Sequence, residues 1–284
     1  MQLCYAANMH GIFNRAFPTE SQPVAGGCRV VVHRGVLYCA YNADGNVAEF
    51  VAKVSGIDVW TTPAVLPLMV TPSRSLALFV FKDKVHAFRS DDQGEYTLAS
   101  YNDTLMGFEP MTLSQPMHGS PSLVEFQGRL HAFYRHGHTR QIECLSSEDL
   151  ENWGNGPVLR ARGVAVTTPD DPIAIVYQGL IHLFYKDGDG RTLLVKYDGK
   201  QAWTEPRVFI EQAYPFMPGV TVHAGLLKLA FTRSIANADG RALYQYAYDG
   251  NALSPATVSS NLAATERVGL GVLDGELFAL FQKA

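Results

Sequence analysis

Histidines and aspartates occur at three places near the middle of this 284-residue chain that share one face of the predicted fold. Imidazole and carboxylate groups that share a pocket can transfer protons or bind a divalent metal ion. These residues therefore form a first candidate ligand site, and a solvated polar loop surface without a ligand is the alternative. The members of this candidate site are His118, Arg135, His136, His138, Asp170 and Asp171.

A second group of histidines recurs at one position of a repeated strand. His86, His131 and His182 each stand three residues after a tight turn. Identical histidines in equivalent places could make a ring of small binding sites. They could equally be half-buried residues of the repeat, because Phe278 occupies the same position and needs no ligand.

Tryptophans form a third group. Trp60 and Trp203 lie at nearly the same distance from their turns, 25 and 24 residues. An aromatic face beside planar polar groups is suited to binding a sugar ring, whereas packing between neighbouring sheets is the alternative role.

The elements that position these residues are short strands in a repeat. An apolar strand, a tight turn and a second strand occur six times, and the turns are spaced 48, 45, 51, 46 and 50 residues apart. Counting from the last turn through both termini to the first gives 44 residues, so the period continues across the chain ends. Four short strands in each unit of this length predict an all-β fold, a six-bladed β-propeller. The turn residues are Gly35, Asp83, Gly128, Gly179, Gly225 and Gly275.

The sixth unit is split between the two ends of the chain. We expect strands from both termini to share this last blade, since closure leaves neither end as an unpaired edge. The alternatives are a β-sandwich and a five-bladed ring with tails. The interpretation gives a single domain, residues 1–284, with blades at about 27–72, 73–118, 119–168, 169–216, 217–265, and 266–284 plus 1–26.

Loop placement connects the first candidate site to this fold. Turns after the second and fourth strands of a blade share one face, and the longest connection between blades on that face is residues 160–172, which we call the link. Long loops in a compact fold usually have a function. We therefore predict that the first candidate site borders a polar pocket, and a separation of Asp170 from His138 beyond about 20 Å would contradict this.

Composition excludes several functions. A net charge of −4 without a basic stripe argues against a nucleic-acid partner, and no apolar run is long enough to span a membrane. The N-terminal segment lacks the features of a signal peptide, which predicts a cytoplasmic protein or one exported by another route. The four cysteines do not have zinc-ligand spacing, and we assign no metal and no cofactor; Cys28 and Cys39 could pair if oxidised.

Blade four carries a family resemblance. The segments 181–190 (IHLFYKDGDG) and 197–203 (YDGKQAW) resemble a blade of the six-bladed fucose-binding lectins of fungi and bacteria. The resemblance implies a sugar held by an Arg of the second strand, a Glu of the third strand and an aromatic residue. Glu49 matches the Glu position and Glu143 lies one residue away, whereas no blade has Arg at the second-strand position.

A turn motif gives a second resemblance. Ser147 and Asp149, followed by Trp153, are similar to the Asp-box of sialidases, which implies a structural turn and not a catalytic group. A sialidase-like glycoside hydrolase would use converging arginines and a Tyr–Glu pair. The sequence lacks the expected Arg-Ile-Pro segment, and the adjacent Asp170 and Asp171 are poorly spaced for a two-carboxylate mechanism.

The function predicted from the sequence is a non-catalytic, lectin-like propeller that binds a glycan or another small polar ligand. A sialidase-like glycoside hydrolase and a protein-interaction scaffold remain as alternatives. The predicted ligand contacts are the six residues of the first candidate site together with Glu49, Trp60, His86, His131, His182 and Trp203.

Overall fold

The computed structural model describes residues 2–9, 12–13, 17–18, 24–43, 47–57, 59–68, 76–90, 96–104, 107–111, 117, 120–200, 203–234, 241–260, 262, 264 and 266–283. These residues form β-strands joined by turns, and no helix occurs among them. Accordingly, the described residues contain no helix that could cross a membrane.

The strands, in chain order, are β1 (Gln2–Met9), β2 (Ile12–Phe13), β3 (Phe17–Pro18), β4 (Val24–His33), β5 (Val36–Ala43), β6 (Ala48–Val54), β7 (Ala64–Val65), β8 (Ala77–Phe81), β9 (Lys84–Ser90), β10 (Tyr96–Asn102), β11 (Gly107–Met111), β12 (Ser122–Phe126), β13 (Arg129–Arg135), β14 (Ile142–Ser147), β15 (Trp153–Asn155), β16 (Arg160–Ala161), β17 (Val164–Ala165), β18 (Ile173–Tyr177), β19 (Leu180–Lys186), β20 (Thr192–Tyr197), β21 (Arg207–Ile210), β22 (Gly219–His223), β23 (Leu226–Ser234), β24 (Arg241–Tyr248), β25 (Thr257–Ser259), β26 (Gly269–Leu273) and β27 (Glu276–Lys283).

The chain divides into two compact units. The first unit combines Met1–Pro67 with Pro218–Ala284 and contains blade one (β4–β7), blade five (β22–β25) and blade six (β26, β27 and β1–β3). The second unit, Leu68–Met217, contains blade two (β8–β11), blade three (β12–β15) and blade four (β18–β21), with the small β16–β17 hairpin between the last two. The predicted fold, a six-bladed β-propeller of antiparallel blades, is confirmed; five blades have four strands, and blade six has five because β2 and β3 are two short strands that both pair with β1.

Blade six joins the two ends of the chain, as predicted. Strand β1 pairs antiparallel with β27 in a register that runs from Gln2↔Lys283 to Ala7↔Phe278. Leu3 and Phe281 of these strands are fully buried. Because each terminal strand supplies the hydrogen-bond partners of the other, neither is left as an open edge within this sheet.

The first hairpin of every blade has the same tight turn. In all six hairpins both central residues have positive φ, the backbone conformation of a type I′ turn. Glycine adopts this conformation without steric cost, which explains why it stands at the second position in five blades. Blade two uses Lys82 and Asp83 instead, with φ of 46° and 61°.

Alternating side chains of the second strand fill the spaces between blades of one unit. In β19, Ile181, Leu183 and Tyr185 are buried in a cluster with Phe133 and Ile142 of blade three. Burying one such side chain contributes about 1.5–3 kcal/mol. The second strand ends at the second hairpin of its blade, and this end of blades three and four carries the candidate site.

Candidate functional site

The link lies against the second hairpin of blade three. Its first part is the β16–β17 hairpin, and its continuation forms an antiparallel bridge, Gln141↔Thr167. The Thr168 amide donates to the Arg140 carbonyl at 2.9 Å, and the Ile142 amide donates to the Val166 carbonyl at 2.9 Å. The link therefore extends blade three beside the loop that carries His136 and His138.

The adjacent carboxylates of the link contact different strands. Asp171 accepts a hydrogen bond from the Ser120 amide at 3.0 Å, and its Oδ1 lies 4.0 Å from Nε of Arg135 at the end of β13. Asp170 accepts from Nζ of Lys186 at 2.5 Å, and the Lys186 side chain, at the end of β19, is only 5% exposed. We call Arg135, Asp170, Asp171 and Lys186 the Asp170–Asp171 cluster.

The two histidines of the loop stand next to each other. The rings of His136 and His138 are 6.2 Å apart, with His136 half-buried and His138 exposed. Nδ1 of His136 accepts a hydrogen bond from the Thr139 amide at 3.3 Å, which fixes the orientation of this ring.

Backbone pairing brings this loop and the cluster to the same end of the blades. His138 and Asp170 each lie two residues from the Arg140–Thr168 hydrogen bond. His118, the remaining member of the first candidate site, lies outside the described residues. In the described ranges, no group of three or more His, Cys, Asp or Glu side chains is arranged to hold a metal ion.

A Tyr–Glu pair lies at the same end of blade three. The hydroxyl of Tyr134 donates to Oε2 of Glu143 at 2.8 Å, and the two residues are direct cross-strand partners. Burial and the hydrogen bond to Glu143 raise the pKa of Tyr134 well above its ordinary value. The phenol is therefore neutral at physiological pH and is not an activated nucleophile.

Blade one has an equivalent pair. Tyr41 donates to Oε2 of Glu49 at 3.0 Å, again across the second and third strands, and burial followed by the charge of Glu49 raises the pKa of Tyr41. Glu143 appeared displaced by one residue in the sequence because it lies 15 residues after its turn, compared with 14 for Glu49. The second hairpin loop of blade three is one residue longer than that of blade one. Glu143 and Glu49 therefore occupy equivalent positions in their blades.

The three repeated histidines lie in the core. His86, His131 and His182 are 4%, 7% and 0% exposed. Burial lowers the pKa of His86 and His182 to about 4, and lowers the pKa of His131 in the same direction. The His86 ring stacks on Phe79 at 5.2 Å. A ligand would have to displace packed neighbours to reach these neutral imidazoles, and their binding role stays a prediction.

The side chains of the two tryptophans are also buried against other residues of the protein. Trp60 and Trp203 are 7% and 8% exposed. Trp203 stacks on Tyr197 at 5.1 Å and meets the ring of Phe133 edge-on at 5.6 Å. The indole faces are therefore used for packing in this conformation, and stacking on a sugar stays a prediction.

The Asp-box-like segment forms a closed turn between β14 and β15. Asp149 Oδ1 accepts from the Asn152 amide at 2.7 Å, and Ser147 Oγ accepts from the Leu150 amide at 2.9 Å. Hydrogen bonds from Asn152 hold the pKa of Asp149 below its ordinary value. The turn lies at the end of the strands away from the Asp170–Asp171 cluster, which fits the structural role that the resemblance implied.

Sequence reasoning missed Lys186 and the Tyr–Glu pairing. Lys186 is the last residue of the largely apolar strand β19 and belongs to no motif, so only its ion pair with Asp170 identifies it. The alternation of β13 and β14 could have indicated the pairing of Tyr134 with Glu143, because cross-strand partners share one side of a sheet.

Comparisons with known proteins show similarity in structure alone. No protein-family profile and no curated protein matches this sequence. Among solved structures, the α-L-arabinanase of Penicillium chrysogenum, determined with arabinobiose, matches with a TM-score of 0.64 at 12% identity, over 90% of this chain and 92% of that chain.

Two further structures match over most of the chain. A protein of unknown function from Dyadobacter fermentans has a TM-score of 0.64 at 9% identity, covering 100% of this chain and 99% of its own. A PL25 polysaccharide lyase, an ulvan lyase bound to -[GlcA(1-4)Rha3S]-, has a TM-score of 0.52 at 11% identity, covering 88% of this chain and 76% of its own. The similarity concerns the fold, which this chain shares with carbohydrate-processing proteins, and the narrower resemblance to fucose-binding lectins stays a prediction.

Proposed function

We propose that this protein acts on a carbohydrate, and that the Asp170–Asp171 cluster with the neighbouring Tyr134–Glu143 pair is its site. The observation that carries the proposal is the gathering of carboxylates from separate elements at one end of blades three and four. The arabinanase and the ulvan lyase support it as structural neighbours that process carbohydrate. They favour the hydrolase alternative over the lectin.

Glycoside hydrolysis needs one carboxyl group to donate a proton and another to act as base or nucleophile. Nζ of Lys186 holds the Asp170 carboxylate in position at 2.5 Å, which suits the second role. Asp171 and Glu143 are the remaining carboxyl groups for the proton donor. Adjacency in sequence does not exclude a shared task for Asp170 and Asp171, because their side chains contact different strands.

Non-catalytic glycan binding is the second candidate. Its support is that each carboxylate of the site already has a donor or cation as partner, Asp171 with Ser120, Asp170 with Lys186 and Glu143 with Tyr134. Such a preorganised set of acceptors can bind sugar hydroxyls without any proton transfer.

Release of reducing ends from a panel of polysaccharides tests the hydrolase. Asp170→Asn, Asp171→Asn and Glu143→Gln are compared with wild type, and loss of a catalytic carboxylate should lower kcat by about 10²–10⁴. Glu148→Gln is the matched control, because this carboxylate is exposed and pairs with Arg129 at the other end of blade three.

Calorimetric binding of the same glycans separates the two candidates. Binding retained with turnover lost in one variant supports hydrolysis, and binding by wild type without any turnover supports the lectin. If no glycan binds and none is cleaved, the proposal fails and the interaction scaffold takes its place.

A further inference from the structure

Two segments beside the candidate site are positively charged, although the chain as a whole is negatively charged. The protein carries −4 overall, but residues 135–141 and 158–168 contain four arginines, two histidines and no carboxylate. The first segment is the second hairpin of blade three, and the second segment includes the β16–β17 hairpin of the link. Charge of one sign that is concentrated locally is suited to a ligand of the opposite sign.

The backbone holds these segments together. The bridge between Gln141 and Thr167 and the bond from the Thr168 amide to the Arg140 carbonyl join them side by side. The β16–β17 hairpin is closed by a type I′ turn at Arg162 and Gly163, with φ of 48° and 80°. The arginines are therefore carried by hydrogen-bonded backbone and not by unpaired loops.

Three of these arginines are exposed and have no acidic partner within the part of the chain that the structure describes. Arg140, Arg160 and Arg162 form no ion pair with any carboxylate of the described residues. Arg160 donates to the Gly163 carbonyl at 3.0 Å, which fixes its guanidinium over its own hairpin. We call Arg140, Arg160 and Arg162 the arginine rim.

Neighbouring cations at the same end of the blades are neutralised. Lys186 pairs with Asp170 at 2.5 Å, and Arg191 pairs with Asp187 at 2.7 Å and with Asp189 at 3.1 Å. Balanced pairs contribute little to attracting a charged ligand, whereas guanidinium groups without an acidic partner can bind carboxylate or sulfate with two parallel hydrogen bonds.

From this arrangement we propose that the ligand is an acidic glycan, whose carboxylate or sulfate groups bind the arginine rim while its neutral hydroxyls bind the Asp170–Asp171 cluster. This inference rests on the proposed function and names the substrate class for it. The rim attracts the anionic groups and sets the position of the chain of sugars along the link.

Matched pairs of sugars test the inference in calorimetric titrations of the full protein. The probes are oligogalacturonates and their methyl esters, sulfated and desulfated carrageenan oligosaccharides, and neutral arabino-oligosaccharides. The acidic member of a pair should bind more tightly, and its advantage should decrease between 50 and 300 mM salt because screening weakens exposed charge pairs (concentrations chosen to shorten the Debye length about 2.4-fold).

The test variant is Arg140→Asn combined with Arg162→Asn. Both positions have positive φ, 56° and 48°, which asparagine tolerates, so the turns are kept. Loss of two exposed charges should weaken binding of the acidic sugar about three- to tenfold and leave the neutral sugar unchanged. Lys82→Asn is the control, because it removes a cationic side chain from another position with positive φ, in the first hairpin of blade two.

Several results would overturn the inference. One is equal binding of the acidic and neutral members of a pair, and another is binding of neutral sugars alone; both leave the proposed function standing. Equal weakening by Lys82→Asn would assign the effect to overall charge, as would equally tight binding of a duplex DNA fragment. If none of the sugars binds and none is cleaved, the proposed function fails and this inference fails with it.

Discussion

Buried histidines should make the stability of this protein depend on pH. His86 and His182 are 4% and 0% exposed, and burial is the main cause that lowers the pKa of each to about 4, from an ordinary value of 6.5. The unfolded chain therefore takes up protons at a higher pH than the folded protein does. The stabilisation is complete above pH 6.5 and is lost as the pH falls from 6.5 towards 4.

The size of the effect follows from the two pKa values. At pH 5 an unfolded imidazole is almost fully protonated, whereas a folded one with a pKa of about 4 is about one-tenth protonated. This difference costs about 2 kcal/mol for each histidine relative to pH 8, or about 4 kcal/mol for both. Total stabilities of about 5–15 kcal/mol make such a loss easy to measure.

The assay is urea denaturation followed by tryptophan fluorescence between pH 8 and pH 5. The double variant His86→Phe with His182→Phe uses the residue that blade six has at this position, Phe278, which is 4% exposed. Its loss of stability between pH 8 and pH 5 should be about 4 kcal/mol smaller than in wild type.

The double variant also loses the 3.3 Å hydrogen bond between His86 and the Phe81 carbonyl. This loss should lower the free energy of unfolding by the same amount at every pH, so it does not alter the dependence of stability on pH. Phe278→Leu is the control, because it alters the same buried strand position without removing an imidazole and should keep the pH dependence of wild type. If the double variant loses stability with pH as steeply as wild type, the argument from burial is wrong.

Three further predictions concern the frame of the fold. Leu3→Ala, at a fully buried position of the terminal strand, should lower the free energy of unfolding by about 2–5 kcal/mol in urea titrations, and a smaller loss than about 1 kcal/mol would contradict the tight closure of blade six. Gly219→Ala should lower the melting temperature in a calorimetric scan, because its Cβ would lie 2.4 Å from the Val268 carbonyl oxygen; an unchanged transition would refute the close approach. Asp274→Ala removes the acceptor of the Gly56 amide, 3.0 Å away, so hydrogen exchange of that amide should accelerate, whereas unchanged exchange would show that the bond is not formed in solution.

The repeat in the sequence made the blade architecture predictable. Each first hairpin is encoded by a few adjacent residues, apolar strands around a turn that needs positive φ, and the six copies are therefore visible without a structure. The terminal strands could be assigned to one blade because the period continues from Gly275 to Gly35. Both signals, the local turn and the spacing along the chain, can be read without knowing how neighbouring blades pack.

The contacts of the site could not be read in the same way. Ser120 and Asp171 are 51 residues apart, and their hydrogen bond depends on how the ends of blades three and four meet. The bridge from the link to Gln141 is likewise set by tertiary packing. The sequence identified Asp170 and Asp171 by their position in a long connection, but it contained no sign that they contact different strands.

Binding to a broad glycan array, followed by hydrogen exchange with the tightest-binding glycan, tests whether this protein binds carbohydrate at the Asp170–Asp171 cluster. At least one glycan should bind and should slow exchange of amides in residues 136–142 and 166–171, where the link pairs with blade three. Absence of binding across the array, or protection confined to amides elsewhere in the chain, would contradict this prediction.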